Sequence, residues 1–176
     1  MIFKFTILLL LMTNAESSIY KFNKQSTLDN WILVNDVVMG GQSISSFSLD
    51  DEGHGVFQGK VSLENNGGFA SLRYRFENSD IQSFSSIAIR LKGDGLNYQF
   101  RVKSKKYDRQ SYVYHFQTSG KWEWIEIPLD EMYPSWRGRT LNMPNYPGQT
   151  MEDIAIFIGH KKPEEFHLEI DQIILN

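Results

Sequence analysis

The chain has 176 residues, a formal net charge of −3, 14% aromatic residues and no cysteine. That length suits one domain around a single buried core, and the missing thiols exclude a disulfide framework and any thiolate metal site. The small net charge argues against nucleic-acid binding and against an acidic tail.

Residues 1–15 carry one charge at Lys4, a mostly apolar run to Met12 and small residues at Thr13 and Ala15. This is the pattern of a secretory leader cleaved near Ala15, and it is shorter than the roughly twenty residues a membrane-spanning helix needs. It predicts an exported protein, periplasmic or extracellular, with no transmembrane span once the leader is removed. A mitochondrial presequence would be rich in arginine, whereas the first arginine here is Arg73. Residues 19–176 are expected to form the folded domain.

Two turn-forming words follow, Trp31-Ile-Leu-Val-Asn35-Asp36-Val-Val-Met39-Gly40-Gly41-Gln-Ser43 and Ser62-Leu-Glu-Asn65-Asn66-Gly67-Gly68-Phe69. Each places short polar side chains that bond back to the backbone beside a glycine pair that tolerates positive φ. Asn66-Gly67 between apolar runs further predicts a tight hairpin.

From there alternation with a period of two dominates. Ala70, Leu72, Tyr74 and Phe76 form one apolar face, and Tyr98, Phe100 and Val102 another. Similar runs cover 44–49, 55–63, 87–92, 112–116, 154–158 and 166–170. In Trp122-Glu-Trp124-Ile125-Glu-Ile127 the phase changes after Trp124, which predicts a bulge, and core packing is expected for Trp31, Trp122 and Trp124. Residues 132–149 contain Pro134, Pro144 and Pro147 and read as a long irregular loop. The fold class is therefore all-β, a two-sheet antiparallel jelly-roll sandwich.

The two glycine words, with Lys92-Gly93-Asp94-Gly95 running into Tyr98, Trp136-Arg137-Gly138 and the closing Phe166-His-Leu-Glu-Ile-Asp-Gln-Ile, resemble the complex I intermediate-associated protein family. The resemblance runs in order from about Tyr20 to Asn176. It implies a galactose-binding-like sandwich and an assembly-type role through protein binding, with no agreed catalytic site.

Catalysis has little support among the residues themselves. There is no nucleophile elbow, and His54, His115, His160 and His167 lie far apart in sequence. Gly93-Asp94-Gly95 is not a dinucleotide fingerprint, because Tyr98 occupies the place of the last glycine, so NAD is rejected and no cofactor is expected. Asp50-Asp51-Glu52 reads as an acidic hairpin tip, with a structural calcium held by loop oxygens as a lesser alternative and no metal assigned.

The stretch 70–110 carries nine Lys and Arg against four Asp and Glu. By alternation Arg73, Arg75, Arg90, Lys92, Arg101 and Lys103 all point away from the apolar sides of their strands. If those strands share a sheet they form one basic outer face for an acidic partner, or else solvated faces paired with nearby acids. Asn35, Asp36, Gly40, Gly41, Asn65, Asn66, Gly67 and Gly68 would meet Asp94, Trp136 and Arg137 at one rim and make a polar pocket with an aromatic wall. Alternatively, the turns only hold backbone and Trp136 only plugs the core. Two binding classes remain open, a protein partner and a carbohydrate, with an enzyme as a distant third.

Overall fold

A computed structural model describes residues 17–176. Among them are thirteen strands: β1 (Ser17–Lys21), β2 (Trp31–Asn35), β3 (Ile44–Leu49), β4 (Gly55–Val61), β5 (Ala70–Asp80), β6 (Ser86–Lys92), β7 (Asn97–Lys103), β8 (Ser111–Gln117), β9 (Trp122–Pro128), β10 (Tyr133–Trp136), β11 (Arg139–Thr140), β12 (Thr150–Ile158) and β13 (Glu164–Leu175). The expected leader, 1–15, lies outside the described residues.

Every pairing is antiparallel, and the strands form two sheets. One has six strands in the order β3-β4-β13-β6-β9, with β1 also on β13; the other has seven in the order β11-β10-β8-β7-β12-β5-β2. This is the expected two-sheet sandwich. Tyr98, Phe100 and Val102 of β7 and Leu72 of β5 are fully buried between the sheets, as their alternation predicts. No helix among the described residues is long and apolar enough to cross a membrane.

Several local expectations are overturned. Asn66-Gly67 does not close a hairpin, because β4 and β5 lie in different sheets and the segment between them crosses from one to the other. β9 pairs with β6 in unbroken register, without a bulge, so Trp122 and Trp124 share the outer side with Glu126 while Ile125 and Ile127 face inward. Trp31 alone of the three joins the core, stacked on Tyr74 at 4.7 Å between ring centres. The proline-rich stretch is not wholly irregular, since β10 and β11 form a small hairpin that extends the seven-stranded sheet beyond β8. Pro134 fits there because β10 is short and lies near the edge.

Candidate functional site

The two glycine words converge on one side chain, Asp36, which is fully buried. Its Oδ1 accepts the Ser43 N–H at 2.9 Å, and its Oδ2 accepts the Ser43 hydroxyl at 2.5 Å and the N–H groups of Gly68 and Phe69 at 2.6 and 3.3 Å. Burial alone would raise this carboxyl, but the bonds from Ser43, Gly68 and Phe69 outweigh it and hold the group below 3.8. The four glycines divide the work. Gly40 and Gly68 supply positive φ, +89° and +133°, whereas Gly41 and Gly67 leave room for the carboxylate, since a Cβ there would stand 2.4 and 2.5 Å from Asp36 side-chain atoms. Asn65 and Asn66 take left-handed backbone at φ 54° and 61°, and Asn35 accepts a bond from the Ser45 hydroxyl at 2.7 Å.

This knot carries an apolar feature that alternation does not reveal. Between Asn35 and Gly40 the chain makes a single 3-10 turn, and Val37, Val38 and Met39 are 59, 73 and 63% exposed. Ile44 and Leu63, on the segments that lead away from the knot, are exposed as well. The signal was three consecutive apolar residues inside a predicted turn.

Asp94 lies at the same end of the sandwich, where it lines a hollow with Ser45, Ser46, Gln58 and His167. Its carboxylate accepts the buried Tyr98 hydroxyl at 2.9 Å and the His167 N–H at 2.7 Å, extending the pairing of β13 past the end of β6. Trp136 and Arg137 are not there. Ser135 pairs with Ser111 at the start of β8, whereas Asn35 pairs with Ala70, level with the far end of β7, so the Trp136 hairpin sits at the opposite end of the strands. Its indole lies under the guanidinium of Arg109 at 3.7 Å and of Arg137 at 4.8 Å. The single rim is therefore corrected to Asn35, Asp36, Asn65, Asn66 and Asp94 with their glycines, without Trp136 or Arg137.

The single basic face is likewise divided. Arg90 and Lys92 belong to the six-stranded sheet and pair with Asp171 at 3.4 Å and Glu169 at 3.2 Å. Trp124, 48% exposed, shares that outer face, where Asp50, His54 and Glu169 also approach one another within 4.8 Å. Asp50 there acts as a turn clasp, its Oδ1 accepting the N–H groups of Glu52, Gly53 and His54.

Arg73, Arg75, Arg101 and Lys103 remain together on the seven-stranded sheet. Arg73 and Arg75 flank the buried Asp153 at 3.6 and 3.2 Å. Burial raises the Asp153 carboxyl above 3.8 despite the opposing pull of Arg73, Arg75 and Lys103. Registers place Phe157 beside Gln99, and Gln99 beside His115, one row along from Arg101. Phe157 stacks on Phe69 with ring centres 5.4 Å apart, and His115 Nε2 lies 2.7 Å from the Tyr133 hydroxyl. Burial, then Arg101 and His160, lower the His115 pKa, so its ring favours the neutral form.

Comparison with solved structures shows the same fold in carbohydrate-binding modules. The family 11 module of the cellulosomal cellulase Lic26A-Cel5E of Clostridium thermocellum superposes with a TM-score of 0.65 at 18% identity, covering 92% of this chain and 94% of that one. The family 11 module from Clostridium thermocellum in complex with a β-1,3-1,4-mixed-linked tetrasaccharide gives 0.65 at 17% identity, covering 91% of this chain and 94% of that one. Among curated proteins, complex I intermediate-associated protein 30, mitochondrial, of Mus musculus is 23% identical over 88% of this chain and 54% of its own length. The probable Caenorhabditis elegans counterpart is 24% identical over 88% of this chain and 52% of its own length. The chain thus spans about half the length of these relatives. Their mitochondrial designation overturns the expectation of an exported protein drawn from residues 1–15. Residues 20–170 match the complex I intermediate-associated protein 30 (CIA30) family, and the chain belongs to that family.

Proposed function

We propose that this protein is a non-catalytic, assembly-type binding module that engages a protein partner in a mitochondrial setting. The observation that carries this is the apolar turn Val37-Val38-Met39, held out on the rim by the buried Asp36 knot. Contiguous exposed apolar side chains on a rigid mount mark an interaction surface, because removing them from water favours association. The family and the names of the curated relatives support the same reading.

The test is recovery of partners from mitochondrial extract by the tagged chain and by Val38→Asp. Wild type is expected to retain complex I assembly intermediates, with recovery falling about tenfold in Val38→Asp while the melting temperature is unchanged. Equal recovery by the two chains would overturn the proposal.

A second reading is carbohydrate binding, supported by the Phe157–Phe69 stack beside Gln99, Arg101 and His115 on the outer face of the seven-stranded sheet, and by the sugar-binding neighbours of the same fold. A glycan array distinguishes it: specific binding that disappears in Phe157→Ala would favour this second reading over the first.

A further inference from the structure

The middle of the seven-stranded face is a cationic dip. Register aligns Arg73, Ala155, Arg101, Val113 and Tyr133 in one row across β5, β12, β7, β8 and β10. Ala155, buried and only a methyl high, floors the space between the two arginines. In the next row Asp153 lies between Arg75 and Lys103.

Charges here do not balance. Arg73, Arg75 and Lys103 surround Asp153, whose carboxylate is engaged by Arg73 and Arg75, and Asp108 also acts on Lys103, which leaves Arg101 as a fourth cation in the neighbouring row. Among the described residues Arg101 has no carboxylate within ion-pair distance; its Nε and Nη2 both donate to Gln99 Oε1, at 3.0 and 2.6 Å. Its guanidinium lies 3.6 Å over the Phe157 ring, which fixes the plane of the fork, and among the described residues Nη1 makes no hydrogen bond. Burial, and then the repulsion of Arg73, lower its pKa to about 10, a sign that the charge is held without adequate compensation. Among the described residues the Arg73 Nε is buried and without a partner. Buried polar hydrogens left unmatched are rare and costly, and an oriented arginine fork is shaped for the two oxygens of a carboxylate.

We infer that the dip between Arg73 and Arg101, floored by Ala155 and flanked by Phe157 and Tyr133, receives the carboxylate of an acidic side chain on the protein partner. This rests on the protein-partner reading above and names the chemistry of a second contact on that partner. The carboxylate supplies the counter-charge that Arg101 lacks.

The test is a titration of the isotope-labelled chain, followed by NMR, with a hexaglutamate peptide, a hexaglutamine peptide and glucuronate. Hexaglutamate is expected to give saturable shifts centred on Gln99, Arg101 and Phe157. Its affinity should fall about tenfold in Arg101→Gln and remain unchanged in Arg139→Gln, on the exposed edge strand β11. If Arg101→Gln fails to fold, Arg101→Lys decides: it keeps the charge and loses the fork, and a weakening of at least about threefold is expected. Unchanged affinity in the deciding variant, shifts centred elsewhere, or equal binding of hexaglutamine would overturn the inference. Tighter binding of glucuronate than of the peptide would overturn the protein source in favour of an acidic sugar. Partner recovery that survives Arg101→Gln but not Val38→Asp would remove the carboxylate contact and leave the protein-partner reading standing.

Discussion

Asp36 shows how much a single side chain can organise. It accepts four bonds, two from Ser43 and one each from Gly68 and Phe69 on a separate segment, and it does so as a fully buried anion. Asp36→Asn removes the charge and turns one acceptor into a donor facing N–H groups, so a loss of about 2–3 kcal/mol is expected in urea denaturation. The four glycines should separate by cause. Gly40→Ala meets only backbone strain, on the order of 1 kcal/mol, whereas Gly41→Ala drives a methyl into the Asp36 carboxylate and should cost clearly more in the same measurement. The acid response has a definite sign: the folded Asp36 titrates below 3.8, so its stabilisation is complete above that value and is lost as pH falls through the lower folded pKa. Asp153 opposes this, because its folded pKa lies above 3.8 and its contribution becomes less favourable as pH rises through that window. Asp36→Asn should therefore flatten the low-pH limb of a stability profile, and a limb as steep as wild type would contradict the assignment of that limb to Asp36.

Strands were largely legible because alternation is a local property; which strands share a sheet is not. Tyr98, Phe100 and Val102 could be placed inward from their spacing alone, and all three are fully buried. Nothing in the spacing of Arg90 and Arg101 says that β6 and β7 lie in different sheets, which is why the basic face divided. β9 differs from its reading for a related reason: Trp122 and Trp124 are large and aromatic, yet the unbroken register with β6 sets Ile125 and Ile127 level with the buried Ile89 and Ile87 and the tryptophans level with the outward Arg90 and Lys92. Tryptophan position therefore predicts mutational cost. Trp31→Ala, which empties a core site stacked on Tyr74, should lose about 3–5 kcal/mol, and Trp124→Ala on the exposed face less than about 1 kcal/mol, both read from denaturation midpoints. The candidate site was half legible for the same reason, since the glycine words announced shaped turns while their meeting point on Asp36 depends on packing across the two sheets.

At the scale of the molecule each sheet is assembled from long-range pairings, and β13 is the hub of the six-stranded one. It pairs with β4 over Glu164–Ile170, with β1 over Gln172–Leu175 and with β6 over Glu169–Leu175. A chain ending at residue 163 leaves these three strands without their common neighbour and removes Phe166, Leu168, Ile170 and Ile173 from the core. It should show no dispersed amide spectrum and no cooperative thermal transition. The same arrangement bears on biogenesis. A polypeptide delivered from its amino terminus exposes the apolar sides and unpaired edges of β1, β4 and β6 until the twelve residues Glu164–Leu175 follow, and such edges invite pairing with other chains. Its yield in a cell should therefore depend on a holding chaperone during that interval.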